Sequence, residues 1–172
     1  RIWVAGHNGM VGRAVVRALE RRDCKILTAA RDEVDLTRQE EVETWLTNNK
    51  PDAIIVCAAR VGGILANDTF PAEFIYDNLM IETNIIHTSQ NIGVDKLLFL
   101  SSRCIYPKHA AQPMNEAALL GGALEPTNEW YAIAKITGVK ACQSIRKQYN
   151  KDYVSLMPTN LYLSLIHISE PT

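Results

Sequence analysis

The sequence predicts an α/β protein built on a doubly wound parallel sheet. Short apolar runs alternate with helix-period segments along the chain, a glycine-rich turn follows the first run, and no repeat or low-complexity tract divides it. Residues 2–5 read as a first strand ending at Gly6. Met10, Val11, Ala14, Val15, Ala18 and Leu19 then recur at helical spacing as far as Arg21. Lys25 to Ala30 reads as a second strand, Gln39 to Asn48 as a helix, and Ala53 to Ala58 as a third strand, apolar enough to be covered on both faces. Pro71 opens a long helix running to about Asn91 with Gly93 as its stop, and Leu97 to Leu100 supply a fourth strand. Residues 107–126 carry three prolines and two glycines without periodicity and read as an irregular loop. A helix from Glu129 to about Tyr149 and a strand from Tyr153 to Met157 complete the alternation. Neighbouring strands joined by helices are expected to be parallel, because a crossover of that length returns the chain to its starting edge.

Composition narrows the function. The chain has 172 residues, a net charge of -1, 47% hydrophobic and 22% charged residues, a balance that excludes disordered, collagen-like and coiled-coil classes. Near-neutral charge offers no field for a nucleic-acid backbone, and no apolar run approaches the roughly 20 residues that span a bilayer. Cys24, Cys57, Cys104 and Cys142 are scattered, which argues against a zinc site or a disulfide framework and for a reducing compartment, the cytoplasm. His7, His87 and His109 fall in a turn, on a helix and in a loop, without metal-ligand spacing. The chain opens at Arg1 directly into an apolar run, without an initiator Met.

Gly6-His7-Asn8-Gly9-Met10-Val11-Gly12 lies between the first strand and the first helix. A dinucleotide pyrophosphate needs a tight turn there, a backbone without Cβ atoms in its path, and a helix N-terminus facing the anion. A ligand-free glycine turn is the plainer reading. At the end of the second strand, Arg31 offers a cation for a 2′-phosphate and Asp32 a carboxylate for a free 2′-hydroxyl. The bidentate grip of a guanidinium favours NADP(H), with a solvated Arg-Asp pair as the alternative; Asp35 and Leu36 suit contact with the adenine.

Tyr131 and Lys135 stand four apart on one helix. A phenol with a pKa of about 10 becomes a usable acid or base when a neighbouring cation stabilises its anion. Ser101 and Ser102 sit at the carboxyl end of the fourth strand, the edge where open parallel sheets bind ligands. A hydroxyl there can hold a substrate carbonyl while Tyr131 moves its proton. Together these residues point to reductase chemistry on a sugar-like carbonyl or alcohol. Cys104, two residues beyond Ser102, is either a buried hydrophobe or a thiolate able to take a proton from the carbon beside a polarised ketone.

The stretches AGHNGMVG, RDEVDL, AARVGGILANDTFPAEFIYDNLMIETNIIHTSQ, KLLFLSSRCIYPK, LEPTNEWYAIAKITG and MPTNLY resemble the GDP-L-fucose synthases among the extended short-chain dehydrogenase/reductases. The resemblance covers nearly all of residues 1–162 and implies a Rossmann-like NAD(P)-binding domain there, truncated before a C-terminal substrate domain. Residues 163–172 are then expected to be a foreign tail. The implied activity is NADPH-dependent epimerisation and reduction of GDP-4-keto-6-deoxy-D-mannose. The resemblance makes Tyr131 the proton donor to the C4 oxygen, Lys135 the residue that lowers its pKa and holds the nicotinamide ribose, Ser102 the ketone's hydrogen-bond partner and Cys104 the epimerisation base. It assigns the cofactor to the glycine turn from Gly6 to Gly12, to Arg31, Asp32, Glu33, Val34, Asp35 and Leu36, to Leu100, Ser101, Ser102 and Arg103, to Lys135, and to Pro158, Thr159, Asn160 and Leu161. It also implies a GDP-sugar substrate and pairing into a homodimer. Asn8 stands where relatives carry Arg, and Ser101 and Arg103 stand where they carry Gly and Ser. The isolated chain is expected to bind NADPH better than it turns over sugar. Two other readings are a related nucleotide-sugar epimerase or dehydratase, and a non-catalytic dinucleotide-binding fragment.

Overall fold

The computed structural model describes residues 1–161, so the expected tail at 163–172 lies outside the described residues. The elements in order are β1 (Ile2–Ala5), α1 (Met10–Leu19), β2 (Ile26–Leu27), α2 (Gln39–Asn49), β3 (Ala53–Val56), α3 (Ile64–Thr69), α4 (Pro71–Asn91), β4 (Lys96–Leu100), α5 (Glu129–Tyr149) and β5 (Asp152–Leu156). The strands form one sheet in the order β2-β1-β3-β4-β5, and every neighbouring pair is parallel.

Two elements differ from the sequence expectation. β2 pairs with β1 only at Ile26 and Leu27, because the Ala30 carbonyl then takes the N–H groups of Glu33 and Val34 and turns the chain away from the sheet edge. α3 falls in a segment without apolar periodicity. Its Ile64 and Leu65 are exposed, and it is held locally by the Asn67 amide, which donates to the carbonyls of Gly62 and Gly63.

Right-handed crossovers place α1 on one face of the sheet and α2, α4 and α5 on the other. On the crowded face α2 packs on α4 and α4 on α5. There Trp3, Ile54, Val56, Leu97, Phe99 and Tyr153 meet Trp45, Leu46, Ile85, Val139 and Cys142, with the Trp3 and Trp45 rings 4.6 Å apart. Residues of the opposite set, Ile55, Leu98 and Val154, are only half-buried. β3 is therefore covered fully on one face, not on both as its apolar run suggests. No helix among the described residues is long and apolar enough to cross a membrane.

α4 also carries a buried polar row that ties the loops to the core. Asn78 accepts from the Arg60 backbone N–H and donates to the Arg60 and Phe74 carbonyls, and Asn84 donates to the Leu36 carbonyl. Between them Glu82 reaches α5, where Gly138 makes room: a Cβ at that position would lie 2.4 Å from the Phe99 ring and 2.7 Å from Glu82 Oε2. Glycine in mid-helix sacrifices propensity; here it lets α5 close on α4 and β4.

Candidate functional site

At the carboxyl ends of β1, β3, β4 and β5 lies a cleft of about 1080 Å³. It opens beside β1, where the strand order reverses, the position at which open α/β sheets bind ligands.

The glycine turn forms its floor. Gly6 has φ +83°, and a Cβ there would lie 2.6 Å from the Ala58 nitrogen, so the turn can hug β3 only without a side chain. A Cβ on Gly12 would fall 2.1 Å from the Gly6 carbonyl oxygen. No side chain caps α1, and Met10, Val11 and Gly12 in its first turn line the cleft. The uncapped N–H groups and the helix dipole make this a place for an anion.

Of the residues singled out in the sequence, Gly6 to Gly12, Arg31, Val34, Asp35, Leu36, Leu100, Ser101, Ser102, Tyr131, Lys135 and Pro158 to Leu161 line the cleft. Asp32, Glu33, Arg103 and Cys104 are not among its lining. Glu33 Oε1 accepts from the Trp45 indole N–H at 3.0 Å, and Arg103 Nε donates to Asn160 Oδ1 at 3.3 Å, bracing the chain after β5. Asp35 accepts from the backbone and side chain of Thr37; those hydrogen bonds hold its carboxyl below the usual range, with Arg31 and Arg38 contributing. Val34 is buried in the core.

Ser102, Cys104, Tyr131 and Lys135 come together across β4 and α5. Ser102 Oγ accepts from the Cys104 backbone N–H at 3.3 Å, capping the turn Arg103–Ile105. Burial pushes the Tyr131 phenol well above its ordinary value; negative charge on Cys104 and Glu82 pushes the same way, and the Ser102 hydroxyl opposes. Lys135 reaches the same place from the next turn of α5. Its ammonium lies 5.9 Å from the Tyr131 ring centroid, donates to the Leu100 carbonyl at 3.2 Å, and stands 2.8 Å from Glu82 Oε1. Glu82 thus stands as a counter-charge beside the lysine expected to act on the phenol.

The profile of the NAD dependent epimerase/dehydratase family matches residues 2–168. The chain belongs to that family. Among curated relatives, the GDP-L-fucose synthase of Sinorhizobium fredii is 64% identical over 162 residues, covering 94% of this chain and 52% of that protein. That of Escherichia coli is 55% identical over 163 residues, covering 94% and 51%. Among solved structures, DdhaC superposes with a TM-score of 0.92 at 46% identity over 94% of this chain and 47% of its own. MlghC, a GDP-mannoheptose C4 reductase from Campylobacter jejuni with NADP bound, gives 0.91 at 37% identity over 94% and 48%. The chain spans about half the length of the curated relatives it matches.

Sequence reasoning missed two parts of this family member's site. Residues 57–62 after β3 line the cleft, and the rule that ligands gather at strand carboxyl ends could have found them. Arg60 there is pinned by Asp77 at 2.7 Å and by Glu73 and lies over the Phe74 ring. Glu82 carried no signal of its own: an acidic residue in a long helix reads as a solvated face until tertiary packing buries it.

Proposed function

We propose that this chain carries the NADP(H)-binding and proton-transfer half of an enzyme that epimerises and reduces GDP-4-keto-6-deoxy-D-mannose to GDP-L-fucose, with residues 1–162 as its dinucleotide-binding domain. The observation that carries the reading is the meeting of Ser102, Tyr131 and Lys135 at the end of β4, in one cleft with the glycine turn. The names of its relatives support the GDP-linked sugar. The cleft fits a dinucleotide: the uncapped first turn of α1 lines it with Met10, Val11 and Gly12, and Ser101 Oγ is buried there without a hydrogen-bond partner among the described residues. When bound, NADPH supplies the hydride.

The chain's residues would hold and move protons around that transfer. The α1 N-terminus and glycine turn take the pyrophosphate, Arg31 the 2′-phosphate, and Lys135 the nicotinamide ribose. Ser102 donates to the ketone oxygen and Tyr131 delivers its proton there. Cys104 takes a proton from the carbon beside the ketone, and an acid contributed by another part of the enzyme returns one to the opposite face, which completes each inversion. Arg31 lines the cleft and Asp32 does not, which supports NADP(H) over NAD(H). The four cysteines are free, in keeping with a reducing cytoplasm.

Titrating the chain with NADPH and with NADH tests the cofactor half. NADPH binds more tightly, and Arg31→Ala weakens NADPH by roughly tenfold, the scale of one lost charged hydrogen bond, leaving NADH unchanged. Equal affinity for both nucleotides, or equal losses on substitution, would refute it. In the full-length parent protein, oxidation of bound NADPH on addition of GDP-4-keto-6-deoxy-D-mannose, yielding a GDP-6-deoxyhexose, tests the chemistry. A parent that binds NADPH yet oxidises it with no GDP-linked ketosugar fits dinucleotide binding without turnover instead.

A further inference from the structure

We infer that Glu82 is a positioning residue for Lys135, a carboxylate behind the cleft that holds the lysine ammonium where a dinucleotide ribose and the Tyr131 hydroxyl can use it. The inference rests on the reading of Lys135 as part of the dinucleotide site.

Both partners are sealed from water: side-chain exposure is 2% for Lys135 and 0% for Glu82. Lys135 lines the cleft and Glu82 does not, so the carboxylate sits on the core side of the ammonium. Three groups fix the ammonium: Glu82 Oε1 at 2.8 Å, the Leu100 carbonyl at 3.2 Å and the Phe99 ring, whose centroid is 4.7 Å away. They come from α4, the end of β4 and its interior, so the lysine is referenced to the same strand end that presents Ser102. Gly138 completes the pocket, since a side chain there would strike both Phe99 and Glu82.

Stability alone gives little reason for such a pair. Each buried ion loses several kcal/mol of hydration, and well-packed apolar residues of the same volume are commonly as stable or more so. What the pair adds is position. A lysine stem has four rotatable bonds and a compact charge that otherwise seeks water; a fixed anion behind it confines the ammonium one helical turn from Tyr131. Among the described residues the other titratable groups facing the pair are Tyr131 and Cys142 on α5 and Cys57 after β3, so Glu82 is the counter-charge built for Lys135.

The test uses the 172-residue chain labelled with ¹⁵N-lysine. In the unsubstituted chain the Lys135 ammonium exchanges with water slower than that of exposed Lys140, on the order of tenfold or more. Glu82→Gln, equal in size, abolishes that protection and weakens NADPH binding by on the order of tenfold, the scale at which orienting partners affect the groups they hold. Glu82→Asp, which restores the charge, recovers most of both. A purely structural role would instead lower the unfolding midpoint of both variants and leave NADPH affinity alike in the two. Fast exchange of the Lys135 ammonium in the unsubstituted chain overturns the inference whether or not a variant folds, as does unchanged NADPH affinity in folded Glu82→Gln. Lys135→Met that retains full NADPH affinity would remove the underlying reading instead, which separates the two failures.

Discussion

Replacing Lys135 by methionine should destabilise the fold by about 3–5 kcal/mol near neutral pH, the range for leaving one member of a buried ion pair alone, with a loss that fades as the pH falls. Methionine refills the volume of the stem and removes only the ammonium, so Glu82 stays sealed between α4 and α5 without its counter-charge. Burial already raises the Glu82 pKa above its ordinary 4.5, opposed chiefly by the Lys135 charge; removing that charge lets it rise further. The variant then folds with Glu82 protonated and unfolds to an ionised carboxylate. A raised folded-state value means that stability is fully present below pH 4.5 and is lost as pH rises through the folded value. Over that window the slope is at most about 1.4 kcal/mol per pH unit, that of a single proton. Urea unfolding of both chains across a pH series checks it. A difference between them that does not change with pH would show that Glu82 is not the uncompensated group.

The second large effect belongs to the glycine turn. Gly12→Ala should lower NADPH affinity by on the order of a hundredfold, equivalent to about 2.7 kcal/mol. The added Cβ would lie 2.1 Å from the Gly6 carbonyl oxygen and 2.8 Å from the Gly6 carbonyl carbon and the His7 Cα. All three are backbone atoms, so no rotamer change relieves the clash and α1 must back away from the turn. Overpacking of this kind costs about 1–3 kcal/mol, and the displaced helix also takes its first-turn N–H groups from the pyrophosphate position. Fluorescence titration with NADPH decides the matter, with circular dichroism to verify the fold. A dissociation constant within a few-fold of the unsubstituted chain's would mean that the pyrophosphate does not sit on this turn.

These two residues differ in how far they could be read in advance. Gly12 was legible because the constraint is local: a strand, three glycines in register and a helix lie within a dozen residues, and the steric reason for glycine is written there. The long helices were legible for the same reason, with Pro71 at the start of α4, positive-φ Gly93 after its end, and Asn150 in a left-handed conformation closing α5. β2 is shorter than its apolar run suggests because its length is decided by its partner and by the turn at Ala30, not by its apolar content. Arg31 and Asp32 are neighbours in the chain, and only the turn at Ala30 brings one to the cleft and leaves the other outside its lining.

By itself the sequence determined the alternation of strands and helices, the glycine turn and the order of Ser102, Tyr131 and Lys135, since each rests on periodicity or on spacing within a single element and its flanking turn. Only the tertiary structure decided that Glu33 bonds Trp45, that Glu73 and Asp77 clamp Arg60, and that Glu82 stands behind Lys135. For Glu82 the reason is desolvation. A carboxylate on a helix carries no mark of whether water or a distant cation will face it, and that difference, worth several kcal/mol per ion, exists only once the elements have packed.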